Sequence, residues 1–131
     1  MSKKKTILVA DNEKHVREIF EEISEEPFLS NFFGSGRKIE IITAADVDEA
    51  CMVLEDCPID LILTDMIMES RSGSEIIDFA KNLRPTPILA GMSREDSFRS
   101  LLEKDKIVFF EKPLSFSRVC GWIKSQLFGS I

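Results

Sequence analysis

Three apolar runs of this chain each pass directly into a side chain capable of chemistry. Ile7-Leu8-Val9-Ala10 leads into Asp11-Asn12-Glu13, Leu61-Ile62-Leu63-Thr64 into Asp65, and Ile107-Val108-Phe109-Phe110 into Glu111-Lys112. Asp65 alone has an ordinary explanation, because Asp is common in turns. Its company changes the reading. If Asp11, Asn12 and Asp65 share one crevice, their charges repel unless a cation lies between them, and an all-oxygen donor set favours Mg²⁺ over zinc. Lys112 adds an exposed, mobile ammonium that can pair with Asp65 or with a phosphoryl group carried on it. A carboxylate nucleophile, a hard cation and a lysine are the parts that phosphoryl transfer to aspartate requires.

The elements must bring these residues together. Short apolar runs bounded by polar residues suit strands buried on both faces, as in a parallel sheet. Five are legible: Lys5 to Ala10, Ile39 to Thr43, Asp60 to Thr64, Pro87 to Gly91 and Ile107 to Phe110. Between them lie helical stripes. Val16, Ile19, Phe20 and Ile23 fall at i, i+3, i+4 and i+7, with Asp11 or Asn12 as the expected N-cap and Glu13 complementing the dipole in the first turn. Asp46 begins a second helix, Ile76, Ile77, Ala80 and Leu83 mark a third, and Ser93-Arg94-Glu95-Asp96 opens a fourth with a capping-box-like pattern. Ser115 or Ser117 caps the last. Phe28 to Lys38 is irregular and rich in Phe, expected to pack over the sheet rather than to serve as a partner surface.

A strand–helix unit repeated five times implies an α/β fold, a doubly wound five-stranded parallel sheet. With the flavodoxin-like order 2-1-3-4-5, the switch point lies between the first and third strands, beside Asp11, Asn12 and Asp65. No linker, charge block or internal repeat divides the chain, so residues 1–131 read as one domain.

Composition excludes several classes. A net charge of −6 argues against general nucleic-acid binding, which needs a basic face. Met1-Ser2-Lys3-Lys4-Lys5 begins like a signal peptide, but the apolar run that follows ends at Asp11, too early for an h-region or a membrane span. A cytoplasmic location is expected. Cys51, Cys57 and Cys120 form no CxxC pair, and His15 is the only histidine, so the usual zinc patterns are absent and reduced, mostly buried thiols are expected. No nucleophile–base pair and no Gly-rich phosphate loop is present.

Taken together, Ile7 to Glu13, Asp60 to Gly73 and Phe109-Phe110-Glu111-Lys112-Pro113-Leu114 resemble the acidic strand, the phosphoacceptor strand and loop, and the Lys-Pro turn of response-regulator receiver domains. The resemblance covers essentially the whole chain. It implies that Asp65 is the phosphoacceptor and that Lys112 contacts the acyl phosphate. It further implies that Asp11, Asn12, Asp65 and the backbone carbonyl of Ile67 surround Mg²⁺, and that Phe109 is the aromatic switch residue. The phosphoryl donor would be a histidine kinase or phosphotransfer protein, and the output a contact with another protein. The face around Phe109, Val119 and Trp122 is where a homodimer would be sought.

The sequence also departs from that family. Asn12 stands where a second acid is usual, and Glu69 replaces a proline, loosening that loop. Counting from Pro87, Met92 falls at the position of the hydroxyl that hydrogen-bonds the phosphoryl group; Ser93 can substitute only if the strand end shifts by one. Ile67 and Arg94 fall at positions that modulate hydrolysis, and an apolar Ile67 implies slow autodephosphorylation. The leading expectation is a stand-alone response regulator rather than an enzyme, with at most self-catalysed phosphotransfer. The alternative is a pseudo-receiver acting as a phosphorylation-independent interaction module. A flavin-binding enzyme of the same topology ranks below both, since Asp11-Asn12-Glu13 would repel a phosphate.

Overall fold

A computed structural model describes residues 3–129; Met1 and Ser2 of the lysine-bearing N-terminal stretch lie outside the described residues. The elements follow in the order β1 Lys5–Ala10, α1 Lys14–Ile23, α2 Phe28–Phe33, β2 Ile39–Ala44, α3 Val47–Asp56, β3 Leu61–Asp65, β4 Ile67–Met68, β5 Arg71–Ser72, α4 Ser74–Lys81, β6 Ile88–Ser93, α5 Ser97–Lys104, β7 Val108–Glu111 and α6 Phe116–Phe128. The main sheet has five strands in the order β2-β1-β3-β6-β7, all parallel. Counting only its own strands, that is the expected 2-1-3-4-5.

Alternation within each strand sends side chains to two helical layers. Ile7, Val9, Leu61, Leu63, Ala90 and Met92 meet α1, α2 and α6 in one core with Phe20, Phe33 and Ile123. Leu8, Ala10 and Ile62 meet α3 and α4 on the other face. A third, smaller cluster of Met66, Ile77, Leu102, Ile107 and Phe109 lies under α5.

The Phe-rich stretch expected to pack does so, but as a helix. In α2, Phe33 is fully buried and Leu29 and Phe32 lie against the same core. α3 opens as read: Asp46 accepts from the amide of Glu49, and the Glu49 carboxylate accepts from the amide of Ala45.

Other boundaries need correction. α1 starts at Lys14 with Glu13 as its N-cap residue, not Asp11 or Asn12, and no side chain caps it. Ser93 belongs to β6, and α5 begins only at Ser97 after Asp96. Only Leu102 of α5 is buried, and Leu101 faces solvent. The loop carrying Glu69 is ordered as a small antiparallel hairpin, Ile67 opposite Ser72 and Met68 opposite Arg71. Arg71 holds it down through Asp48 and Glu75. Only Cys120 is fully buried; Cys51 and Cys57 are half-buried, and all three are free thiols.

Candidate functional site

The pairing of the strand ends builds the floor of the site. Asp11 is fixed where β1 ends, its amide donating to the carbonyl of Ala44 at the end of β2. β3 ends opposite β6, with Asp65 across from Met92, and the amide of Met66 donates to the Met92 carbonyl. The amide of Lys112 donates to the carbonyl of Ser93, fixing the start of the Lys-Pro turn against β6. Gly73 closes the loop from behind. Its amide donates to the Met66 carbonyl, and a methyl group at this position would overlap the carbonyl oxygen of Asp65. The chain therefore needs glycine there for close approach rather than for an unusual φ.

The resulting crevice, about 340 Å³, is lined by Asn12, Glu13, Asp65, Ile67, Ser93, Arg94, Glu95 and Lys112. Lys112 is not the exposed ammonium expected from sequence: the residue is 7% exposed. Its Nζ lies 2.6 Å from Glu13 Oε2, 2.7 Å from Asp11 Oδ2 and 3.0 Å from Asp65 Oδ2. The contacts to Glu13 and Asp65 are hydrogen bonds. The approach to Asp11 is an ion pair off hydrogen-bond geometry, so fully buried Asp11 Oδ2 accepts no hydrogen bond. Its other oxygen, Oδ1, accepts from the amide of Glu13.

Three carboxylates facing one ammonium leave an excess of negative charge in a dry place. Burial pushes the Asp65 carboxyl above its usual range, and the charge of Asp11 adds to the rise against the opposing hydrogen bond from Lys112. Burial alone would lower the Lys112 value, but the surrounding carboxylates outweigh it and raise the ammonium's pKa. Glu13 behaves oppositely to Asp65. The hydrogen bond from Lys112 overcomes partial desolvation and, with Arg94 2.9 Å away, pulls Glu13 down to about 2.

One oxygen from each of Asp11, Glu13 and Asp65 can be chosen so that all lie within 4.8 Å of one another. An all-carboxylate set with an orphaned buried oxygen suits a hard divalent cation. The residues thus fit Mg²⁺. Asp11 and Asp65 are in place; Asn12 and Ile67 line the crevice as exposed residues.

Glu13 is the site residue that sequence reasoning missed. Its backbone is extended, so residues 11 and 13 project to the same side. The signal was the i, i+2 spacing of the two acids, hidden by starting the helix too early.

Ser93 also resolves. β6 is long enough to include it, and alternation turns Met92 into the α1–α6 core while Ser93 lines the crevice. The Ser93 hydroxyl thus stands in the crevice, while the register sets Met92 opposite Asp65. The Ser93 hydroxyl accepts from the amide of Glu95, leaving its proton free for another acceptor. Phe109 is buried under α5 with the Arg99 guanidinium 4.9 Å from its ring centre. Of the residues marking the face suggested for a dimer, Phe109 and Val119 are buried on opposite sides of the sheet, and half-buried Trp122 packs edge-on against Phe110.

No family model matches the chain, and no curated relative does. Solved structures do match. The response regulator TrrA from Thermotoga maritima, in complex with Mg²⁺-BeF, is 25% identical, with 94% of this chain and 99% of that one covered at a TM-score of 0.75. The fold is that of a response-regulator receiver domain. A CheY-like receiver protein from Methanospirillum hungatei agrees at 23% identity and a TM-score of 0.75, over 95% of this chain and 94% of its own. So does a Francisella response-regulator receiver domain, at 20% identity and 0.75, over 94% and 96%. Among the described residues of this receiver fold, no helix is long and apolar enough to cross a membrane.

Proposed function

We propose that this receiver accepts a phosphoryl group on Asp65 in a Mg²⁺-dependent reaction and signals through protein contacts. The observation that carries the reading is the buried Lys112 ammonium 3.0 Å from Asp65 Oδ2, with the Ser93 hydroxyl lining the same crevice. In the reaction an Asp65 oxygen forms the new bond to phosphorus. The donor's bond to phosphorus breaks, and the leaving group keeps the electron pair and takes up a proton. Lys112 and Ser93 then receive the phosphoryl oxygens. Bound Mg²⁺ would neutralise charge building on that group. Asp11 and Asp65 hold it in this reading. By likeness to receivers in general, the donor is a histidine kinase or phosphotransfer protein, and the chain is a signalling component rather than an enzyme. Ile67 offers no hydrogen bond from its side chain to an attacking water, which supports slow autodephosphorylation.

The pseudo-receiver reading has its own support, in the neutral Asn12 and in a lysine already paired with acids. One experiment separates the two. With Mg²⁺ and acetyl phosphate, intact-mass measurement should show a gain of one phosphoryl group, lost in Asp65→Asn. No gain, together with no perturbation by beryllofluoride and Mg²⁺ at millimolar concentration, would leave the pseudo-receiver.

A further inference from the structure

The amide at position 12 and the carboxylate at position 13 compete for one role. We propose that Glu13, rather than Asn12, completes the divalent-cation site with Asp11 and Asp65, and that it does so by leaving Lys112. The inference rests on the metal-dependent reading above.

Two independent observations carry it. Glu13 has a carboxylate oxygen within 4.8 Å of oxygens from both Asp11 and Asp65, and its side chain remains partly accessible from the crevice. Asp11 Oδ2, fully buried beside them, accepts no hydrogen bond and meets Lys112 only as an ion pair at 2.7 Å. A carboxylate supplies the charge that a hard cation favours, whereas the Asn12 amide supplies only a dipole.

The second half follows from the count of donors. An ammonium has three protons, and Lys112 faces three carboxylates. A phosphoryl group on Asp65 needs at least one of those protons. Glu13 makes the shortest of the three contacts and is the only one of the three acids that is not fastened to a strand end. Turning Glu13 toward the cation releases a proton of Lys112 for the phosphoryl group. Arg94, now 2.9 Å from Glu13 at the crevice rim, loses its partner in the same movement. Glu13 therefore couples occupancy of the cation site to the readiness of Lys112.

Isothermal titration of Mg²⁺ into the full chain tests the ligand assignment. Glu13→Gln should weaken binding about tenfold or more, the scale on which losing support at a metal site is felt. Asn12→Ala should stay within about twofold of the parent. So should Glu95→Gln, which removes the same charge from the same crevice. The proposal falls if Glu13→Gln binds normally, if Asn12→Ala costs as much, or if Glu95→Gln does, since the last would mean bulk charge alone. A parent chain that binds no Mg²⁺ at millimolar concentration overturns both this inference and the metal dependence it rests on. If Asp65 is labelled by acetyl phosphate while Glu13→Gln binds Mg²⁺ normally, the phosphoacceptor reading stands and Glu13 is removed from it. The release is read from the ¹⁵Nζ resonance of Lys112. Mg²⁺ should move that resonance toward its position in Glu13→Gln, and an unmoved resonance refutes the coupling.

Discussion

The two faces of the sheet are filled in different ways. Toward α1, α2 and α6 the core is one continuous cluster stiffened by aromatic rings. Phe20 meets Phe116 edge-on at 5.2 Å, Phe110 meets Trp122 at 5.4 Å, and Phe33 plugs the end beneath α2. Toward α3, α4 and α5 the core splits in two. The part under α3 and α4 is built largely of small and aliphatic residues such as Ala10, Ala44, Ala50 and Ala80. The part under α5 holds only Met66, Ile77, Leu102, Ile107 and Phe109 as buried members. β6 stands between the faces: Met92 goes to the aromatic side, and Ser93 to the crevice beside the thin side. Interiors resist deformation where they are densely interlocked, and local opening costs least where few apolar contacts are broken. The small cluster under α5, with Phe109 and Leu102 among its few buried members, is therefore the part of the interior that opens at least cost. The aromatic face serves as the fixed side.

Truncation on each face gives the sharpest contrast. Phe20→Ala should lose about 3–5 kcal/mol, the usual range for a buried Phe, in urea unfolding. Leu102→Ala should lose about 2 kcal/mol, the low end for Leu, because its surroundings at the sheet edge can relax. If Leu102→Ala costs as much as Phe20→Ala, α5 is not weakly held and the contrast between the faces disappears.

Next in size is Lys112→Ala. Sequence alone would predict little effect on folding for an exposed lysine. With the ammonium buried among three acids, its loss should cost about 3 kcal/mol at neutral pH without divalent cation. Part of that loss should return when Mg²⁺ is added. A variant as stable as the parent in metal-free buffer would show that the crevice is wetter than its geometry indicates.

The smallest effect is a gain. The raised pKa of Asp65 means that its ionised form is disfavoured in the fold, so the folded state binds more protons than the unfolded one between the two values. Stability from this group should rise as pH falls through the raised value, and Asp65→Asn should be more stable than the parent at neutral pH. Glu13 runs the other way. Its contribution is present above its ordinary value of 4.5 and fades as pH falls toward 2. Thermal unfolding between pH 7 and 3, without metal, measures both slopes. A neutral-pH Asp65→Asn no more stable than the parent would contradict the charge excess assigned to the crevice.

Much of this was legible along the chain. Strands that run apolar into Asp11, Asp65 and Lys112, alternating with helical stripes, determined the parallel sheet and the end at which a site must lie. These are period-two and period-3.6 patterns, local enough to survive without any tertiary information. What the chain alone could not decide were the one-residue questions. Whether Met92 or Ser93 reaches the crevice depends on where β6 stops, and a single step swaps the two faces of a strand. Whether Glu13 caps α1 or turns into the site depends on Lys112, ninety-nine positions away. The burial of Lys112 is itself a property of three strand ends meeting. The sequence by itself determined which charges arrive at the crevice; only the tertiary structure decided which of them touch, because contact between strand ends depends on sheet register and not on spacing along the chain.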